Sequence, residues 1–215
     1  MTDIQTIFQS IRCVLCLNGE IPNPDFFLKC ANIPLFACDG AGSRLIKQGV
    51  YPNLISGDLD SLDHSIVPAE IEIKHTPDQN YTDLEKALNI LIERKLFPCL
   101  ITGTTGREID HTINNINVIL KYSQNHPILF HDSAYTDKEK FGIFVFDSLI
   151  GNFEANTKIS ILPYPKATVS SKGLKWNLDK DTLSQDTKSS ALNVVQISPI
   201  EITVHNGVVL VLFDK

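Results

Sequence analysis

The hydrophobic period of this chain changes once, near residue 124, and that change limits what it can fold into. Up to Gln124, short apolar runs alternate with helix-period segments, the pattern of a parallel sheet with crossover helices. Cys13–Leu17, Pro34–Cys38, Leu54–Ser56 and Leu96–Thr102 read as strands, and Ala41–Gln48 as a helix. Thr82–Arg94 is the clearest helix, with Leu84, Ala87, Leu88, Leu91 and Ile92 recurring at three and four. Thr82 and Glu85 form a capping box at its start. Thr112–Tyr122 reads as a further helix, with Ile113, Ile116, Ile119 and Leu120 on one stripe. After His126 the helical period is gone, and short strands separated by turn residues predict an all-β sandwich. Asn206-Gly207, between Glu201–His205 and Val208–Phe213, predicts a hairpin. The expected fold is an α/β domain with a mainly parallel sheet over residues 1–126, followed by a β-sandwich domain over 127–215.

Charge and composition narrow the function. The net charge of −6 argues against a nucleic-acid binder, which needs a basic surface to neutralise phosphates. No apolar run approaches the ~20 residues that span a bilayer. The N-terminus MTDIQTIFQS carries acid and polar residues where a signal peptide has a basic start and an apolar centre. Five cysteines form an odd set, mostly inside apolar runs, and predict buried, reduced thiols in a cytoplasmic protein. The C-x-x-C of Cys13 and Cys16 lies in a strand-like run with no second pair, which argues against zinc.

Acids collect where predicted strands end, the edge at which open α/β sheets bind ligands. Asp39 follows the second strand in C-D-G-A-G, Asp58 and Asp60 follow the third in G-D-L-D-S, and Asp110 follows G-T-T-G. In extended backbone, residues two apart share a face roughly 7 Å apart. Two carboxylates at that distance repel by roughly 2–3 kcal/mol at an effective dielectric near 20. A divalent cation relieves this, and Mg²⁺ favours one or two carboxylates plus substrate phosphates. The alternative is a solvated turn in which Asp58 and Asp63 cap backbone groups. Asp83, in the first turn of its helix, equally fits a purely structural complement to the helix dipole. Gly103-Thr104-Thr105-Gly106 joins a strand to a helix, so its N–H groups could cradle phosphate, but no Walker lysine follows. Asp110 and His111 also fit an ordinary helix start, and the single tryptophan, Trp176, reads as a core residue.

In order along the chain, these strings resemble the thiamine pyrophosphokinase family. The resemblance runs through N-G-E-x-P at Asn18–Pro22, C-D-G-A-G-S-R-L at Cys38–Leu45 and G-D-L-D-S at Gly57–Ser61. It continues through D-Q-N-Y-T-D-L-E-K-A-L at Asp78–Leu88, G-T-T-G…D-H-T at Gly103–Thr112 and G-L-K-W-N-L at Gly173–Leu178. The resemblance implies a homodimer with thiamine in an interface cleft and ATP with Mg²⁺ at the sheet edge. It implies transfer of the ATP diphosphate to the thiamine hydroxyethyl group, releasing AMP. Asp58, Asp60 and Asp83 would be the metal and catalytic carboxylates. Asp39, Gln79, Thr82, Thr105, Arg107 and Asp110 would line the nucleotide path, and Ser190 with Asn193 would fall near the thiamine ring. Two positions depart from the family pattern. Glu108 stands where the family usually has an arginine, with Arg107 one residue earlier, and Leu192 replaces a serine in the family's S-T-S-N. Two other functions fit these residues: a non-catalytic thiamine- or nucleotide-binding module, and a metal-dependent phosphatase using Asp58 and Asp60.

Overall fold

The chain begins with a two-residue strand, β1 (Thr2–Asp3), and a short helix, α1 (Ile4–Ser10). β1 pairs in parallel with Leu149 and Ile150, so the first ten residues belong with the C-terminal part of the chain. The computed structural model, which describes residues 1–133 and 139–215, divides into two units: Ile11–Asp137, and Met1–Ser10 with Lys138–Lys215. This division falls differently from the expected boundary at 126/127. Ile128–Phe130 pairs in parallel with Cys99–Ile101, and the strand they belong to, Ile128–Asp132, falls in the unit Ile11–Asp137.

That first unit contains β2 (Cys13–Cys16), α2 (Pro24–Leu28), β3 (Leu35–Cys38), α3 (Gly40–Lys47) and β4 (Leu54–Gly57). It continues with β5 (Glu72–His75), α4 (Asp83–Glu93), β6 (Cys99–Thr102), α5 (Ile109–Ser123) and β7 (Ile128–Asp132). The strands are parallel, in the order β7-β6-β2-β3-β4-β5. Every residue of β2, β3, β4 and β6 is buried, as befits parallel strands covered on both faces. β5, at the edge and mostly exposed, carries too weak an apolar signal to be read from sequence. α4 buries Leu84, Ala87, Leu88 and Leu91, as its period predicts, while Ile92 of the same stripe is exposed. In α5 only Val118 and Ile119 are buried, and Ile113 of the expected stripe is exposed. Cys13, Cys16, Cys38 and Cys99 are buried and unbonded to one another, and burial pushes the Cys13 and Cys16 thiols up to about 12.

The other unit is β-rich: β8 (Lys140–Val145), β9 (Ser148–Gly151), β10 (Lys158–Lys172), β11 (Asp181–Ser184), β12 (Ser190–Val194) and β13 (Ile200–Asp214). β10 and β13 pair antiparallel along most of their length. β13 takes β9 as its second partner over Ile200–Thr203 and β8 over Val209–Asp214. The expected hairpin at Asn206-Gly207 is not formed, because both flanking runs belong to β13 and pair with the same strand, β10. Gly207 has φ +84, and a Cβ there would overlap the Lys166 carbonyl oxygen. The dipeptide supplies its left-handed residue to a register shift inside a strand, where a bulge needs the same conformation as a tight turn. Among the described residues no helix is long and apolar enough to cross a membrane.

Candidate active site

In the parallel sheet, the strand order reverses at β2, which has β3 on one side and β6 on the other. The crevice beyond the carboxyl ends of such strands is where ligands bind. A cavity of about 940 Å³ lies there, walled by Leu17–Gly19 after β2, Asp39 after β3, Asp58 after β4 and Thr104–Thr105 after β6. The loops after β2 and β6 are tied together: Gly19 N–H donates to Gly103 O at 2.9 Å and Leu17 N–H to Thr102 O at 2.8 Å. Their glycines permit this approach, since a Cβ at Gly19 or Gly103 would run into the facing carbonyl oxygens.

Asp39, Asp58 and Asp60 converge. One carboxylate oxygen of each lies within 4.8 Å of the others, the one such grouping of three metal-ligating side chains found among the described residues. Asp39 and Leu59 adopt φ +44 and +67, backbone that non-glycine residues rarely take and that turns the three carboxylates toward one point. Asp39 is 6 % exposed and its Oδ1 has no hydrogen-bond partner, an orphaned buried acceptor. Burial raises its pKa above the ordinary 3.8, with Asp60 and Asp83 adding to the rise against hydrogen bonds from Gly40 and Ser61. Asp58 accepts from Gln79 Nε2 at 3.1 Å, and this bond holds its carboxyl below the usual range. Asp60 accepts from Ser61 Oγ at 3.0 Å. Three carboxylates closely set, one of them with a buried oxygen that has no donor, match the donor set of a hard divalent cation such as Mg²⁺.

Asp83 lines the same cavity but lies outside this group of three. Its Oδ1 accepts from Lys86 Nζ at 3.2 Å, one turn along α4. The structure thus brings Asp39, rather than Asp83, to Asp58 and Asp60. Thr82 caps α4: its Oγ1 accepts from Glu85 N–H at 3.3 Å, and Glu85 Oε2 accepts from Thr82 N–H at 3.1 Å. Thr105, expected to face phosphate, gives its hydroxyl to Asp132. Its neighbour Thr104, which sequence reasoning passed over, is buried on the cavity wall with Oγ1 unpartnered. Arg107, Glu108 and Asp110 all line the cavity from its exposed rim, and Asp110 Oδ1 accepts from His111 N–H at 2.8 Å.

Ser190 and Asn193 lie in the β-rich unit, apart from these residues in the chain's division. Asn193 is buried and donates from Nδ2 to Ser190 Oγ at 3.0 Å and to Trp176 O at 2.7 Å. Trp176 is not a core residue: it is 57 % exposed, with Lys175 Nζ 4.8 Å from its ring centroid. Leu192, at φ +55, is also exposed.

Fold and crevice together define a class: an α/β protein with an acidic ligand site at the carboxyl edge of a parallel sheet. Residues 29–130 match the family model described as thiamin pyrophosphokinase, catalytic domain, and residues 151–209 match thiamin pyrophosphokinase, vitamin B1 binding domain. The chain belongs to the thiamin pyrophosphokinase family. It is 28 % identical over 179 residues to thiamin pyrophosphokinase 1 of Caenorhabditis elegans, a match covering 76 % of this chain and 72 % of that protein. It is 27 % identical over 176 residues to thiamine pyrophosphokinase 1 of rice, covering 74 % of this chain and 64 % of the rice protein. The yeast thiamin pyrophosphokinase structure superposes with a TM-score of 0.81 at 17 % identity, over 99 % of this chain and 90 % of that one. The Bacillus subtilis thiamine pyrophosphokinase structure gives 0.79 at 19 % identity, over 94 % and 99 %. At these identities the structural likeness speaks for the fold.

Proposed function

We propose that this chain catalyses its family's reaction at the β2–β3–β4–β6 edge, transferring the diphosphate of ATP to the thiamine hydroxyl and releasing AMP. The observation that carries this reading is the Asp39–Asp58–Asp60 cluster with its orphaned buried oxygen. Those three carboxylates would hold Mg²⁺, which when bound neutralises the polyphosphate and orients it. Diphosphate transfer otherwise needs positioning more than covalent chemistry. The thiamine hydroxyl oxygen bonds to the β-phosphorus, and the bond from that phosphorus to the α–β bridging oxygen breaks. The electron pair leaves with AMP. The hydroxyl proton passes to Asp83, the cavity carboxylate outside the cation's group of three. Gln79 orients Asp58, Thr82 fixes the start of α4, and Arg107 and Asp110 meet the nucleotide at the rim.

Thiamine is held by the β-rich unit, a sandwich built on the long strands β10 and β13, of a second copy in a homodimer. There Ser190 and Asn193 shape a surface on which exposed Trp176 meets the cationic ring. Four buried, unoxidised cysteines fit a reducing, cytoplasmic setting. The test is to incubate purified protein with ATP, Mg²⁺ and thiamine and to separate the nucleotides. AMP and thiamine diphosphate should form in equal amounts. ADP as sole nucleotide product, free phosphate, or ligand binding without product would each overturn the reading.

A further inference from the structure

Lys86 is the one lysine or arginine buried among the described residues, and it stands in the cavity wall. Its side chain is 7 % exposed, against 35 % for its partner Asp83. An ammonium carries three donors, and only one is used here, in the 3.2 Å bond to Asp83. Burying a cation with two donors idle is costly unless something else meets them. The placement is also unfavourable for the helix itself, since Lys86 is the fourth residue of α4, near the positive end of the dipole. A purely structural residue at this point would be apolar or acidic. The cavity, meanwhile, is lined by Asp39, Asp58, Asp83, Glu108 and Asp110, so an entering polyphosphate meets mostly like charge. Arg107, the other strong cation on its wall, is exposed on a loop, while Lys86 is fixed on a helix whose first turn is locked by the Thr82–Glu85 capping box.

We infer that Lys86 is a catalytic residue for the proposed transfer, donating from its idle N–H groups to non-bridging oxygens of the β-phosphoryl group. In the free protein Asp83 holds the ammonium in place. When the polyphosphate enters, the two idle N–H groups meet the β-phosphate, while the third keeps Asp83, the acceptor of the hydroxyl proton, in place. The charge that builds on the β-phosphoryl oxygens during transfer is thereby met by a cation that needs no reorganisation.

The inference rests on the ATP-dependent reading, and its test separates the two. Binding of α,β-methylene-ATP with Mg²⁺, and of AMP alone, is measured by calorimetry for wild type, Lys86→Met, Lys86→Arg and the double variant Lys86→Met/Asp83→Asn. Lys86→Met should weaken the analogue by roughly 10- to 100-fold, the range of one charged hydrogen bond, and leave AMP nearly unchanged. Lys86→Arg should retain most of the affinity, and the double variant should bind the analogue as poorly as Lys86→Met. In turnover, Lys86→Met should lower kcat while the KM for thiamine stays put. The inference fails if Lys86→Met binds the analogue as wild type does, if AMP weakens in proportion, or if the double variant restores binding. The last result would mean that the loss came from an unpaired Asp83. Wild-type protein that binds the analogue through Lys86 but forms no AMP from ATP and thiamine would instead sink the proposed reaction while sparing the assignment of Lys86.

Discussion

Asn193 grips Trp176 by both polar groups of its backbone: Trp176 N–H donates to Asn193 Oδ1 at 3.2 Å, and Asn193 Nδ2 donates to Trp176 O at 2.7 Å. Residues 17 positions apart are thus locked as if in one turn, and the exposed indole is presented from a fixed backbone. Asn193 therefore acts by positioning, through groups that are themselves buried.

Asn193→Ala should free the Trp176 segment and weaken thiamine binding while sparing nucleotide binding. Trp176 is the single tryptophan, so its fluorescence tests the proposed thiamine site without labelling. Thiamine should quench wild-type emission saturably, and the variant should need roughly tenfold more thiamine for the same quench, the equivalent of about 1.4 kcal/mol. Unchanged quenching would show that the two hydrogen bonds do not order the ring.

Asp39→Asn should separate stability from activity. The folded state raises the Asp39 pKa, chiefly by burial, so ionised Asp39 destabilises the metal-free protein. Its stabilising contribution is full below the ordinary value of 3.8 and is lost as pH rises through the higher folded value. Asparagine has no such charge and nearly the same shape as aspartate, so the substitution removes the charge with little change in packing. In Mg²⁺-free buffer near neutral pH the variant should melt at or above the wild-type temperature, yet show no turnover with Mg²⁺ present. A lower Tm together with retained activity would remove Asp39 from the cation site.

Asp39 and Asp58 were legible as crevice acids because each follows an apolar run that reads as a buried parallel strand, and strand ends in such a sheet share one edge. What the sequence could not show was which side chains were already spoken for. Thr104 and Thr105 are equivalent in the string G-T-T-G, and only the partner strand β7, which brings Asp132 to Thr105, tells them apart. Nor does the sequence show that Asp39 lies with Asp58 and Asp60 while Asp83, in the same cavity, accepts from a lysine one turn along its helix. Asn206-Gly207 misled for a related reason. Its backbone preference is real, but the long-range pairing with β10 decides whether that preference makes a turn or a bulge. Residue type alone reads Trp176 as core, and nothing local in the sequence shows that its backbone is tied to Asn193 of β12 with the ring left exposed.

Glu85 gives the protein a pH dependence in the acid range. Burial alone would raise its pKa, but hydrogen bonds from Lys121 Nζ and Thr82 N–H outweigh that and hold it below 4.5. A depressed carboxylate stabilises the fold above its unfolded pKa and loses that contribution as pH falls through the folded one. Wild-type urea midpoints should therefore drop on acidification from about pH 5 toward pH 3 more steeply than those of Glu85→Gln. At neutral pH the variant, whose amide oxygen still accepts from Thr82 N–H, should be less stable by about 0.5 kcal/mol, the worth of the charge in the Lys121 pair. Parallel curves for the two proteins would show that the capping box and the Lys121 pair do not hold Glu85 ionised.

Gly103→Ala should disturb both the crevice and the fold. Gly103 has φ +69, where a side chain is strained, and an added Cβ would overlap the Leu17 carbonyl oxygen. That carbonyl is backbone and cannot swing aside as a flexible side chain would. Relief must come from separating the loops after β2 and β6, at the expense of the Gly19 N–H to Gly103 O bond at 2.9 Å. The expected loss is about 2–4 kcal/mol in urea unfolding, within the range for overpacking combined with backbone strain. Gly49→Ala, also at positive φ (+78) but exposed and with nothing within 4 Å of an added Cβ, should cost about 1 kcal/mol, since strain there is not compounded by a clash. Equal losses for the two variants would mean that backbone conformation alone, rather than the close approach of the two loops, sets the requirement for glycine at the crevice.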